Sequence, residues 1–140
     1  MPDVIWGEKK GDVGLPTVLA MAPRLVRNEQ RRICDIESRA QVKLAQEVVA
    51  AALHISVIEL RAPTRRQAPV ALARQITMYL LHVCFGFSLS AVGRYCGRDR
   101  TTAAHACRQI EDRRDDPAFD NMMDRLEFAL HALPVGAVHQ

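Results

Sequence analysis

Apolar side chains recur at three- and four-residue steps along most of this chain, and the steps break at glycines, prolines and short polar stretches. Ile33, Ile36, Ala40, Leu44, Val48 and Ala51 trace one stripe, which predicts a helix, or two joined end to end, from about Arg24 to Leu53. His54–Leu60 reads as a short break in which Ile55, Val57, Ile58 and Leu60 can anchor a turn on the core. Arg61–Gln67, with Pro63, Thr64, Arg65 and Arg66, reads as an exposed basic loop. Pro69 suits a first helical turn, and Ala73, Ile76, Leu80 and Val83 carry a helix to about Cys84, where Gly86 stops it.

The next stretch is denser in punctuation. Ser88 can cap a very short helix through Val92 to Tyr95, Gly97 marks a turn, and Asp99 caps the helix after it. There Ala103, Ala106, Cys107 and Ile110 fall on one face, so Thr101, Thr102, Ala104, His105, Arg108 and Gln109 turn wholly or partly outward. Asp116-Pro117 starts a last helix with the stripe Phe119, Met122, Met123, Leu126, Leu130 and Leu133, and Pro134 ends it. Met1 to about Pro23 has no sustained period and reads as a flexible arm. No stretch alternates apolar and polar residues as a strand does, so the expected fold class is all-α.

Charge changes this picture more than composition does. The 140 residues, 49% hydrophobic and 25% charged, fit one modest globular unit plus an arm and exclude a multidomain enzyme. The net +3 conceals a segregation: residues 1–60 balance, residues 61–110 hold eight arginines against Asp99 alone for +7, and residues 111–140 sum to −4. Arginine forks match phosphates and base edges, so an anionic polymer is the first partner to expect. Cys34, Cys84, Cys96 and Cys107 show no C-x-x-C pairing, no secretory leader is visible, and no apolar run is long enough for a membrane span; a cytoplasmic protein is expected.

A short helix, a glycine turn and a second helix with small polar residues at its leading end form the layout of a helix-turn-helix, whose second helix enters the DNA major groove. Thr101 and Thr102 supply the bulk-free leading end, and Arg98, Arg100 and Arg108 can neutralise phosphates.

The residues from Arg74 to Leu80, Ser88-Leu89-Ser90-Ala91-Val92-Gly93 and the run from Gly97 to Arg108 closely resemble, in order and approximate spacing, the C-terminal DNA-binding domain of the bacterial replication initiator DnaA. The resemblance extends from about Ala45 to Leu133. It implies a domain that reads the DnaA box, with a recognition helix in the major groove and a loop arginine in the minor groove. Carried over by position, Asp99, Arg100, Thr101 and Ala104 would face bases and Arg66 would enter the minor groove. Arg74, Gln75, Ser90, Thr102 and Gln109 fall on positions resembling phosphate contacts, as does His82 less directly. Asp99 also reads as a cap in its own right, His105 as a packing or hydrogen-bonding residue, and Cys107 as buried and inert.

The departures matter too. Arg100 replaces the family's usual His, Ala104 replaces an apolar residue that touches a thymine methyl, and Gln109 replaces a Lys. The turn before Arg98 is one residue shorter than the double-glycine form, with Cys96 near the place of an aromatic residue. A weaker or shifted preference for the box is expected. The initiator's ATPase function has no counterpart, since no G-x-x-x-x-G-K-[ST] loop occurs. Cys96, His105 and Cys107 lack zinc-finger spacing, and no catalytic triad or carboxylate pair stands out, so no metal, cofactor, nucleotide or enzymatic activity is expected. Asp115, Asp116 and Asp120 read as a solvated face and a cap.

The expected organisation is an arm over 1–23, a helical extension over 24–44, a DnaA-like helix-turn-helix domain over 45–134 and a tail over 135–140. The expected function is double-stranded DNA binding by a stand-alone, nucleoid-associated protein that regulates replication initiation. An interaction protein acting on the initiator or its regulators, or a transcription regulator, are the alternatives. No sustained heptad demands a dimer.

Overall fold

In a computed structural model, residues 16–62 and 68–133 are described, with side chains from Leu25 onward. Six helices are seen there and no strand: α1 Pro16–Leu53, α2 Val57–Arg61, α3 Ala68–Cys84, α4 Leu89–Cys96, α5 Arg100–Arg113 and α6 Pro117–Ala132. The chain divides into two compact units, residues 1–36 and residues 37–140.

In the first unit α1 begins at Pro16, so helix replaces the expected arm over its last eight residues. A proline at the first turn loses no hydrogen bond, which lets Pro16 open a helix. Residues 1–15 lie outside the described ones. Leu25, Val26, Ile33 and Ile36 are exposed, and Glu29 accepts a hydrogen bond from Arg32. The predicted stripe therefore fails at its N-terminal end, since Ile33 and Ile36 hold helical spacing without burial.

In the second unit α1 is buried from Ala40, and over more than one face: Val42, Leu44, Ala45, Val49 and Ala50 join Ala40, while Val48 is half-buried and Ala51 exposed. A helix covered on several sides cannot be read as a single narrow stripe. His54 ends it in the left-handed region at φ 57°, and the Ile55 N–H returns to the Ala50 carbonyl at 2.9 Å. The expected break at 54–60 holds helix α2. Ser56 caps it by accepting from the Ile58 N–H, Leu60 is buried, and Ile58 is exposed rather than anchoring.

Helix α3 is the centre of this unit, with Ile76, Leu80 and Leu81 fully buried and Thr77 donating its hydroxyl to the Ala73 carbonyl at 2.8 Å. Val83, placed on the buried stripe by its spacing, is exposed because the last turn sets Leu81 and Cys84 against the core instead. Gly86 adopts φ 73° and turns the chain so that the Phe87 N–H reaches the Leu81 carbonyl. Helices α4, α5, α6 and α2 all pack on α3, and α4 packs on α5. Ala103, Ala106, Cys107 and Ile110 of α5 are buried, as their spacing requires. On α6, Met123, Leu126 and Leu130 reach the core, Phe119 and Met122 pack partly against it, and Leu133 is exposed. Each fully buried Leu or Ile contributes about 2 kcal/mol. Asp116 caps α6 through the Phe119 N–H. Among the described residues no helix is long and apolar enough to cross a membrane.

Candidate nucleic-acid interface

Two short helices meet at a close approach that only glycine permits. A Cβ on Gly93 would lie 2.6 Å from the Arg98 carbonyl oxygen and 3.0 Å from the Asp99 carbonyl. The Gly93 carbonyl accepts the Gly97 and Arg98 N–H groups, with Gly97 in the left-handed region at φ 69°. Sequence reasoning misses this role of Gly93. Its signal is a glycine inside an eight-residue helix, where it costs about 1 kcal/mol against Ala unless packing requires it.

Ser88 and Asp99 fix the starts of the two helices. The Ser88 hydroxyl oxygen accepts from the Ala91 N–H at 3.1 Å, and Asp99 Oδ1 accepts from the Thr102 N–H at 2.7 Å. The hydrogen bonds from Thr102 hold the Asp99 carboxyl below its ordinary range. With the register of α5 fixed, Arg100, Thr101, Thr102, His105, Arg108 and Gln109 are exposed and Ala104 is half-buried. His105 and Gln109 pair along the helix, Nε2 to Nε2, at 3.1 Å. Ser90 is exposed in the first turn of α4.

Other candidate residues have internal roles. The Arg74 guanidinium donates to the carbonyls of Glu59, Leu60 and Ala62, binding the C-terminal end of α2 to α3, with Gln75 half-buried beside it. His82 donates from Nδ1 to the Phe87 carbonyl at 2.7 Å and fastens the turn before α4. Arg66 lies outside the described residues. Asp120 is partly exposed but not only a surface carboxylate: with Asp124 and Glu127 it binds the Arg114 guanidinium, which also donates to the Tyr79 hydroxyl.

A cleft of about 560 Å³ joins these regions. Arg74, Arg61 and Ala62 line one side, Tyr95, Gly97 and Arg98 another, and Arg39 and Lys43 of α1 complete it. Arg39 and Lys43 escape sequence reasoning because residues 1–60 sum to zero charge; their signal is the four-residue spacing on one helix face. Among the described residues no group of three His, Cys, Asp or Glu side chains could hold a metal ion. Burial pushes the Cys84 and Cys96 thiols up to about 11 and raises Cys107, which keeps them protonated at neutral pH.

The helix pair and the chain before it back to the middle of α1 match a known family: residues 42–110 match the bacterial DnaA protein helix-turn-helix. The chain carries a DnaA helix-turn-helix domain. Relatives include chromosomal replication initiator protein DnaA of Lactococcus lactis subsp. cremoris, 42% identical over 54% of this chain and 17% of its own length. The protein of that name from Thermomicrobium roseum is 35% identical over 69% of this chain and 20% of its own. The Rhodopseudomonas palustris protein is 38% identical over the same shares. The chain thus spans about a fifth of the length of these DnaA relatives.

Proposed function

We propose that this protein binds double-stranded DNA at DnaA-box or related origin-type sites and regulates chromosomal replication initiation, as a nucleoid-associated cytoplasmic protein without catalytic activity. The observation that carries this reading is the coincidence of the +7 segment with the DnaA helix-turn-helix. Helix α5 would enter the major groove with Asp99, Arg100, Thr101 and Ala104 toward the bases, and Arg66 would enter the minor groove. Ser90, Gln75, Thr102, Arg108 and Gln109 would meet phosphates. Arg74 and His82 would reach them only beside their internal hydrogen bonds.

At Ala104 the methyl alone offers a short apolar contact, and Arg100 offers a fork to a guanine edge, so the preferred site should differ from the family's box. One changed base contact is worth about 1–3 kcal/mol of discrimination. A gel-shift series on DnaA-box and scrambled duplexes tests the proposal. Binding at low salt with a preference between duplexes is expected, and no binding to either overturns it. Arg66→Ala should narrow that preference; equal loss on both duplexes would overturn a sequence-reading role for Arg66.

The exposed Leu25, Val26, Ile33 and Ile36 favour a second role, contact with the initiator or one of its regulators. Retention of such a partner after nuclease treatment supports it, and complete loss with the DNA argues against it. Genome-wide occupancy separates origin sites from the promoters a transcription regulator would occupy.

A further inference from the structure

We infer that the basic cleft holds the sugar–phosphate strand that separates the two grooves, with Arg39 and Lys43 of α1 as phosphate contacts from outside the α4–α5 pair. The inference rests on the DNA-binding reading above and adds a second binding surface to it. A loop in the minor groove and a helix in the adjacent major groove must straddle one strand of the duplex. The cleft occupies the matching place in the fold: Ala62, which precedes segment 63–67, lines one wall, and Gly97 and Arg98, which precede α5, line the other.

Its charge fits that occupant. Arg39, Lys43, Arg61, Arg74 and Arg98 line it, and among the described residues no Asp or Glu does. Glu47 stands 4.0 Å from Arg61, and both side chains keep about two-fifths of their surface in solvent, where screening leaves such a pair weak. Arg39 and Lys43 stand one turn apart on one face of α1, about 6 Å along its axis. Tyr95 takes the Arg39 guanidinium at 6.0 Å over its ring and the Arg94 guanidinium at 5.2 Å, so its face gathers two guanidinium groups. A half-open basic trough with an aromatic wall suits a phosphodiester chain, and the open side leaves the rest of the duplex in solvent.

Binding of DnaA-box and scrambled duplexes across a salt series tests the assignment, using the full chain with Arg39→Gln and Lys43→Gln together and Lys43→Gln alone. Removing a single phosphate-neutralising cation lowers the salt slope by about 0.9, so the double variant should drop by about 2 and the single by about 1. Affinity should fall on both duplexes, with their ratio preserved. Ethylating phosphates of the strand between the grooves should weaken the wild type more than the double variant, which keeps only Arg61, Arg74 and Arg98 in the cleft. The control Arg113→Gln with Arg125→Gln removes the same charge from α5 and α6, away from the cleft, and should keep the wild-type slope. Circular dichroism verifies folding of each variant. A wild-type slope in the cleft variants, or an equal drop in the control, overturns the inference while DNA binding stands. Failure of the wild type to bind either duplex defeats the reading beneath it.

Discussion

Arg74 and Arg114 each join helices in this protein, and they meet opposite surroundings. Arg74 ties α3 to the end of α2 through three backbone carbonyls, groups that carry dipoles and no formal charge. Arg114 ties the end of α5 to α6 through Asp120, Asp124 and Glu127, with the Tyr79 hydroxyl as a fourth acceptor. The first lines a cleft with four other cations; the second lies among more negative charge than it carries. The same side chain thus contributes to a field that attracts an anion in one place and is enclosed by carboxylates in the other. Net charge along the sequence separates the two regions, but only the partners show how each charge is used.

The largest expected effect breaks the enclosed side. Arg114→Gln leaves three carboxylates gathered with no cation among them. Removing one partner of a partly buried ion cluster costs about 2–4 kcal/mol, less than a deeply buried pair because Asp124 and Asp120 are partly exposed. Denaturant melts should show that loss at low salt and a smaller one at high salt, where the repulsion is screened. The folded fraction should bind DNA with the wild-type salt slope. A lowered slope would show that Arg114 acts at the DNA and that the two regions are not distinct.

A smaller effect is expected at Arg74. Arg74→Lys keeps the charge but loses the fork that reaches three carbonyls, at about 1–2 kcal/mol of stability, with the salt slope unchanged. Arg74→Gln should lose a similar amount of stability and also lower the slope by about 0.9. Wild-type slope in Arg74→Gln would confine Arg74 to its internal role and narrow the comparison to stability alone.

Much of this was legible in the residues, for identifiable reasons. Ser88, Asp99 and Asp116 were readable as caps because each acts on N–H groups within its own first turn. The buried face of α5 was readable because one neighbouring layer covers it. The pattern failed where burial depends on distant elements: Ile33 and Ile36 repeat the helical spacing yet stay exposed, while Val42, Ala45 and Val49 are covered on a face the stripe did not include. Arg74 sat in a recognisable motif, yet its carbonyl partners lie 12 to 15 residues away in sequence. The cleft shared this difficulty, since Arg39 and Tyr95 approach each other only when α1 and α4 are both placed.

The finest test concerns Asp99, the one acid among residues 61–110. Although Arg98 and Arg100 flank it, its carboxylate is stabilised by hydrogen bonds from Thr102, and Thr101 adds a lesser one. Because folding lowers its pKa, the capping contribution is complete at any pH above the unfolded value near 3.8 and fades as pH falls through the lower folded value. Following the Asp99 carboxyl and the Thr102 amide by NMR from about pH 5 to about pH 2 should show one midpoint below 3.8, with loss of the amide hydrogen bond at the same pH. Arg100→Ala should leave that midpoint in place. If the midpoint instead returns to 3.8 in Arg100→Ala, the neighbouring cation sets it, and this acid is used like those around Arg114. If it stays, the basic region positions its only carboxylate by backbone N–H groups, leaving Arg100 to face an anion outside the chain.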